Sequence, residues 1–218
     1  MTTALINIQE QLRQELEAQK VDLQGVGGDG PNKIKLGGRV FTLPDNTTDE
    51  GPLSAIILDW RFTRAYFPVR FDANNPLPPV CSASNKVEAN LVPRANSDEI
   101  KSEDCPSCEF NQWGTADGGR GAGKACKNSI LLAIIPADNP TEKLQPWMIE
   151  VSPASLTNFI KHVKTLQKKG IMPCQVVTDF SFDKSKTWPK LEFANAGPHE
   201  HIATALTIRE NAQVVLNN

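Results

Sequence analysis

The chain has few histidines, no long apolar run and no excess of charge, and each shortage argues against a class of function. All three histidines lie at or after position 162. No His-x-Glu motif therefore precedes the Cys-x-x-Cys pair, as a zinc-dependent base deaminase would require. No window approaches the run of about 18 apolar residues that a membrane-spanning helix needs. The formal net charge is -2, so any basic surface must be local.

The first residues lack the basic start and apolar core of a secretory signal peptide. We therefore expect a reducing cytoplasm and no membrane partner. In that compartment clustered cysteines hold a metal more often than they form disulfides.

Four of the five cysteines fall within one segment that is rich in Pro, Gly, Ser and Asn. Hydrophobic burial alone could hardly order such a segment. A Cys-x-x-Cys pair with one further thiolate on each side predicts one structural zinc ion, bound by Cys81, Cys105, Cys108 and Cys126. A closed shell of four thiolates leaves no position for a water molecule, so the site is not catalytic. The fifth, Cys174, lies in an apolar strand, where it is expected to be a small buried side chain.

The periodicity of apolar residues divides the chain into three parts. Residues 1–31 predict an amphipathic helix and a linker, and residues 199–218 predict a C-terminal helix. Residues 32–198 predict a mainly β (α+β) domain with a zinc-binding insertion at 72–128. Its predicted elements are a hairpin at 34–43, strands at 53–67, 129–135 and 145–151, a helix at 153–169, and strands at 174–182 and 188–193.

From the long strand at 53–67 onward, the elements follow the order strand, insertion, strand, strand, helix, strand, strand. This is the order of an OB-fold, a five-stranded barrel, with a helix between its third and fourth strands. The sequence thus predicts an OB-fold-like barrel with peripheral N- and C-terminal helices. In that fold, the loop that carries the insertion here helps to line the ligand groove.

The run from Gly118 to Lys124 has the letters of a phosphate-binding P-loop, but Ala125 replaces the serine or threonine that binds magnesium. No apolar strand precedes the run, so nucleotide hydrolysis is not expected. The hypothesis that remains is a flexible loop whose Arg120 and Lys124, with Lys127, contact phosphates. A solvent-exposed turn without a ligand is the alternative.

Aromatic and basic residues interleave along the predicted strands and in the cysteine segment, as a groove for single-stranded nucleic acid requires. Trp113 is expected to be exposed because its neighbours are polar, whereas core packing is the alternative for many of the other rings. The predicted DNA contacts are Trp60, Arg61, Arg64, Tyr66, Trp113, Arg120, Lys124, Lys127 and Trp188.

Several segments resemble a family of tailed-phage and prophage proteins related to zinc-containing single-stranded DNA-binding proteins. The similarity covers roughly residues 32–195, and its most specific part is the cysteine segment. The segments are 38–44 (GRVFTLP), 79–81 (PVC), 105–114 (CPSCEFNQWG), 121–128 (GAGKACKN) and 151–155 (VSPAS). The resemblance implies an OB-fold with a zinc-bearing insertion and a role in phage DNA replication or recombination.

The sequence therefore predicts a non-enzymatic protein that binds single-stranded DNA with little sequence preference in the bacterial host cytoplasm. Its expected partners are single-stranded DNA and phage replication or recombination proteins. One alternative is a zinc-stabilised protein–protein interaction module of a phage replication or host-takeover complex, which the near-neutral charge keeps open. A nuclease is the third hypothesis, with Asp59 and Asp179 as its strand-borne carboxylates.

Overall fold

The structure is a computed structural model that describes residues 32–69, 77–116, 122–138 and 140–217. The predicted N-terminal helix and linker lie outside these residues, as does Arg120. The described elements are β1 (Lys33–Gly37), β2 (Val40–Thr42), β3 (Thr48–Asp49), β4 (Leu53–Tyr66), β5 (Cys81–Asn85), β6 (Cys126–Pro136), β7 (Trp147–Val151), α1 (Leu156–Gln167), β8 (Val176–Phe182), β9 (Leu191–Pro198) and α2 (Ile202–Asn217).

The described strands form one open, curled sheet in the order β3-β2-β1-β7-β6-β4-β8-β9, and β5 pairs with the end of β4. All neighbours are antiparallel except β1 and β7, which are parallel. The mainly β class is confirmed. The sheet has nine described strands, whereas the predicted barrel has five. The difference arises because β1–β3 extend the sheet beyond β7 and a strand of the cysteine insertion joins β4.

The predicted hairpin near residues 34–43 is confirmed as β1 and β2, joined by a two-residue turn at Gly38-Arg39. Gly38 has φ +62°, a conformation that a glycine adopts without the steric penalty of a β-carbon. A glycine at the first central position is typical of the type II′ turns that join antiparallel strands.

Strand β4 is the centre of the sheet. It pairs with β6 along most of its length, with β8 at its first residues and with β5 at its last. The register shifts between Ile57 and Asp59, so Leu58 is the extra residue of a β-bulge. The alternation of residues in the sequence predicts that Ile56, Leu58, Trp60, Phe62 and Tyr66 share one face. That prediction is wrong, because the bulge reverses the alternation of side chains after Leu58.

Two apolar cores lie on opposite faces of β4 and β6. Helix α1 covers the larger core, which includes Ile57, with Trp60 and Phe62 packed against it. Helix α2 covers the smaller core, which includes Ile56 and Leu58. The run at 130–135 is apolar at every position, which predicts a strand that is buried on both faces. This prediction is confirmed, because β6 contributes side chains to both cores.

The two predicted helices that fall within the described residues are confirmed. A 3-10 turn, Pro153–Ser155, precedes α1, and the chain leaves that helix at Gly170, which has φ +70°. The lysines of α1 are exposed, as the interpretation of a solvated face requires. No helix within the described ranges combines the length and the apolar character needed to cross a membrane.

Asp59, beside the bulge, is a buried carboxylate that joins three parts of the chain. Its side chain is 1% exposed. Its Oδ2 accepts hydrogen bonds from Lys86 Nζ at 3.1 Å and from Gln213 Nε2 of α2 at 3.0 Å. Burial by itself raises the pKa of Asp59, but hydrogen bonds from the Trp60 amide, Lys86 and Gln213 outweigh burial and lower that pKa below its ordinary value.

We predict that Asp59→Asn lowers the free energy of unfolding at pH 7 by about 2 kcal/mol, because the amide cannot balance the charge of Lys86. The folded-state pKa of Asp59 is depressed, so its stabilising contribution is present above the unfolded-state pKa of about 3.9. It is lost as the pH falls through the folded-state pKa. Urea unfolding at several pH values should therefore show the two proteins converging below about pH 4.

Asp179→Asn is the matched control, since Asp179 lies on the neighbouring strand β8 and accepts a hydrogen bond from Ser54 Oγ in an exposed position. We expect it to cost less than about 1 kcal/mol. Equal losses in the free energy of unfolding would show that the buried cluster around Asp59 contributes no more stability than the exposed hydrogen bond of Asp179.

Candidate metal centre and nucleic-acid interface

The cysteine insertion lies over the end of β4. Tyr66, the last residue of β4, is the Cα partner of Cys81 in β5 on one side and of Cys126 in β6 on the other. Directly paired residues of antiparallel strands point to the same face of a sheet. The sheet therefore places two of the predicted zinc ligands on one face, on either side of the same residue.

The four cysteines of the insertion line a single cavity, and all four are buried. None of them forms a disulfide. Within the described part of the chain, no three His, Cys, Asp or Glu side chains are grouped closely enough to hold a metal ion as they stand. Zinc would require four sulfur atoms at about 2.3 Å from one centre. The identity of the donors and their shared cavity fit a tetrathiolate site, and binding would require the sulfurs to converge further.

The electrostatics of the cavity oppose four free thiolates. Burial raises the pKa of Cys105 to about 11 and that of Cys126 to about 12. The nearby cysteines contribute to both raised pKa values, and the positive charge of Arg64 acts in the opposite direction. Since several thiolates cannot accumulate in a buried cavity without a compensating charge, the cluster favours a cation.

The loop that carries Cys105 and Cys108 is held by side chains that bond to its backbone. Asp104 accepts hydrogen bonds from the Ser107 amide and hydroxyl, which closes the turn between the two cysteines. Asn111 is buried and donates its Nδ2 to the Cys105 carbonyl at 2.9 Å. Its Oδ1 accepts a hydrogen bond from Lys124 Nζ at 3.2 Å. Asn111 thus connects the loop of Cys105 and Cys108 to Lys124, which lies just before β6.

Sequence reasoning assigned no role to Asn111, although it lies three residues after Cys108 in the stretch that carries the family resemblance. Its polarity indicated an exposed loop. The signal available in the sequence was its position next to a Cys-x-x-Cys pair, where backbone carbonyls need donors that a short loop cannot supply from its own main chain.

Trp113 is the most exposed aromatic side chain of the insertion, at 78%. The Nζ of Lys124 lies 5.7 Å from the centroid of its ring. Beside it in the structure of the insertion, the Gly114 amide donates to the Gly123 carbonyl at 2.9 Å, which closes the loop that presents the ring. The predicted exposure of Trp113 is confirmed, and Lys124 of the predicted cationic loop lies beside its ring.

Two further aromatic–lysine pairs lie at the same end of β4. Lys127 Nζ is 5.0 Å from the ring centroid of Phe67. Tyr66 packs against Phe110 with ring centroids 4.3 Å apart, and Lys101 lies over both rings. The end of β4 and the insertion therefore carry three aromatic–lysine groups: Trp113 with Lys124, Phe67 with Lys127, and Tyr66 and Phe110 with Lys101.

Trp188 belongs to a separate place in the fold. It is 51% exposed in the loop between β8 and β9, with Lys186 Nζ 5.5 Å from its ring centroid. β8 runs antiparallel to β4 and pairs with its first residues, so the β8–β9 loop lies near the start of β4. The insertion lies near the end of β4. The topology therefore places Trp188 and Trp113 beyond opposite ends of the longest strand.

Three of the predicted DNA contacts are directed inward. Trp60 is half-buried and packs edge-on against Phe159 of α1, with centroids 5.8 Å apart. Arg61 and Arg64 are both buried. Arg64 pairs with Glu88 of the insertion at 2.7 Å and lines the cavity of the four cysteines. The positions of these three residues indicate roles in packing and electrostatics instead of direct contact with DNA.

The carboxylates considered for a nuclease are occupied by other contacts. Asp59 is buried beneath Lys86 and Gln213, and Asp179 accepts a hydrogen bond from Ser54 Oγ at 2.6 Å. Within the described ranges, neither carboxylate lies in a group of three or more side chains that could hold a metal ion. These positions do not favour a two-metal nuclease centre.

A comparison of this chain with protein-family models, with curated proteins and with solved structures finds no match. The resemblance to phage single-stranded DNA-binding proteins therefore stays a prediction. The arrangement of the chain's own side chains is therefore the basis for a functional assignment.

We predict that Asn111→Ala loosens the insertion, because it leaves the Cys105 carbonyl and the Lys124 ammonium without their partner. The expected loss in local stability is about 1–3 kcal/mol. Limited trypsin digestion should then cut after Lys124 or Lys127 at least several times faster than in the unmodified protein.

Gln112→Ala is the control for this experiment. Gln112 also donates to the Cys108 carbonyl, at 3.1 Å, but its side chain is exposed and water can replace it. An equal rate of cleavage in the two variants would contradict the special role of the buried amide.

Proposed function

We propose that this protein binds single-stranded DNA with little sequence preference, in phage DNA replication or recombination, and that a zinc ion stabilises its binding surface. The proposal includes membership of the tailed-phage and prophage family that the sequence resembles and a location in the bacterial host cytoplasm. It assigns no enzymatic activity to the chain.

We also propose that the central strands form an OB-fold. The elements β4, β6, β7, α1, β8 and β9 follow one another along the chain in the order of that fold, with the helix between the third and fourth strands. In the OB-fold, the loop between the first two strands and the loop between the last two contact the ligand. Here those loops are the insertion and the β8–β9 loop, which carry Trp113 and Trp188.

The observation that carries the DNA proposal is the pairing of exposed aromatic rings with lysines. A ring that is open to solvent offers a face for a base, and a lysine beside it provides a charge for the adjoining phosphate. Trp113 with Lys124 and Trp188 with Lys186 have this arrangement, and Phe67 with Lys127 extends it. Because backbone phosphates and ring faces carry little sequence information, the expected binding is unspecific.

The zinc ion would be held by Cys81, Cys105, Cys108 and Cys126 and would supply no reaction chemistry. Its role would be to fix the insertion, whose connecting segments contribute few apolar side chains to the core. Asn111 and Lys124 link the cysteine pair to the loop of Trp113. Loss of zinc should therefore disturb the presentation of Trp113 as well as the cysteine loop.

A protein–protein interaction module is the second candidate. The insertion exposes Val87, Val92 and Ile100, and α2 exposes Leu206 and Val214. Exposed apolar side chains on one element are typical of docking surfaces when they form a patch. Titration with oligo-dT, followed by tryptophan fluorescence at two salt concentrations, separates the two candidates. Binding that weakens steeply with salt supports DNA, and an unchanged signal at low salt supports the interaction module.

We predict that Trp113→Ala weakens binding to oligo-dT by about tenfold or more, since stacking on a base contributes roughly 1–3 kcal/mol. Trp60→Phe is the matched control, because Trp60 packs against the core and Phe keeps an aromatic ring there. The control should bind with an affinity within about twofold of the unmodified protein. An unchanged affinity in Trp113→Ala would contradict the stacking role.

Elemental analysis of the purified protein should find about one zinc ion per chain. We expect Cys105→Ser to release zinc, to increase proteolysis within residues 81–126 and to reduce affinity for oligo-dT. Cys174→Ser is the control, since Cys174 is buried under α2 and lies outside the insertion. A protein that folds fully and binds DNA without any metal would contradict the zinc proposal and leave the DNA proposal standing.

A further inference from the structure

Arg64 is a buried cation beside four thiols. Its side chain is 6% exposed and lines the same cavity as the four cysteines. On β4 it lies two residues before Tyr66, so it points to the same face of the sheet as Cys81 and Cys126. Its Nε is buried and has no hydrogen-bond partner within the described part of the chain. A buried guanidinium with an open donor is costly unless a negative group lies nearby.

We propose that Arg64 is a positioning residue of the metal centre: its guanidinium offsets the negative charge of the zinc-bound thiolates and thereby holds the ion in place. The inference rests on the proposed zinc site and deepens it. Four thiolates and one Zn²⁺ ion carry a net charge of about -2, which a buried site must balance. The sequence interpretation of Arg64 as a phosphate contact is replaced by this role.

The ion pair with Glu88 cancels only part of the charge that Arg64 presents to the cysteines. Glu88 is 54% exposed, so water screens its carboxylate, whereas the guanidinium is enclosed by protein. A charge in a medium of low dielectric constant interacts more strongly with its neighbours than a hydrated one. The short contact between Arg64 Nη2 and Glu88 Oε1 orients the guanidinium, and its remaining field acts on the cavity.

The other charged groups that line the cavity are less favourably placed. Lys101 lies over Tyr66 and Phe110 and is paired with the exposed Glu99. Asp104 is negative and would oppose thiolate formation, but it is exposed and bonds to Ser107. Arg64 is therefore the most deeply buried positive group on the cavity wall.

The test compares the affinity of three variants of the full chain for Zn²⁺ alone, measured by competition with a chromogenic chelator. Arg64→Gln removes the charge and should weaken zinc binding about tenfold or more, as loss of an outer-shell partner does in other metal sites. Arg64→Lys keeps the charge and should remain within about threefold of the unmodified protein. Glu88→Gln removes the opposing carboxylate and should leave zinc affinity unchanged or increase it.

The sign of the Glu88→Gln effect separates an electrostatic role from a structural ion pair. If the pair only braced the insertion, Glu88→Gln and Arg64→Gln would weaken zinc binding alike, and the inference would be overturned. Because Glu88 is largely exposed, its variant should fold even if Arg64→Gln does not, and weaker zinc binding in Glu88→Gln would by itself overturn the inference.

The same proteins, loaded with zinc, are titrated with oligo-dT. Retained DNA affinity in Arg64→Gln supports the inference, whereas lost DNA affinity with unchanged zinc affinity would restore Arg64 as a phosphate contact. An unmodified protein that binds no Zn²⁺ would overturn the proposed metal site and, with it, this role of Arg64. Equal Zn²⁺ affinity in Arg64→Gln and in the unmodified protein would overturn the role of Arg64 and leave the proposed metal site standing.

Discussion

The pairing of Tyr66 with a strand on each side is the constraint on which the rest of the insertion depends. It brings Cys81 and Cys126, 45 positions apart in the sequence, to the two strands that flank one residue. A loop between two such strands has its ends fixed by backbone hydrogen bonds before any metal is bound. The cysteine pair then only has to close over a face that the sheet has already built. This explains how a polar segment can be ordered with little apolar burial of its own.

The inward direction of Arg64 follows from the same strand. Residues that alternate along β4 share a face, and Trp60, Phe62, Arg64 and Tyr66 continue from the larger core towards the cysteines. A side chain in this row meets apolar residues at one end and thiols at the other. An arginine is tolerated in the row only where negative groups balance it. Among the predicted phosphate contacts that the structure describes, Lys124 in the loop before β6 and Lys127 at the start of β6 remain available to a nucleic acid.

The positions of strands and helices could be predicted from the sequence better than the faces to which their side chains point. The hairpin, the long strand, the doubly buried β6 and both described helices follow from periodicity and from turn residues, because these signals are local. The bulge at Leu58 left no such signal, since Ile56, Leu58 and Trp60 alternate as a regular strand would. The shift is visible only in the pairing with β6, as is the joining of β1 to β7. Exposure of Trp113 was predictable from polar neighbours, whereas burial of Arg61 and Arg64 depended on tertiary contacts.

The bulge also connects the insertion to the C-terminal helix. By adding one residue to β4, it directs Asp59 to the face that α2 covers, next to Leu58. There the carboxylate receives Lys86 from the insertion and Gln213 from α2. The buried carboxylate of Asp59 thus links the insertion and α2 to β4. A regular β4 would have turned Asp59 into the larger apolar core, where no partner could balance it, so the bulge is what makes an acidic residue acceptable at this position.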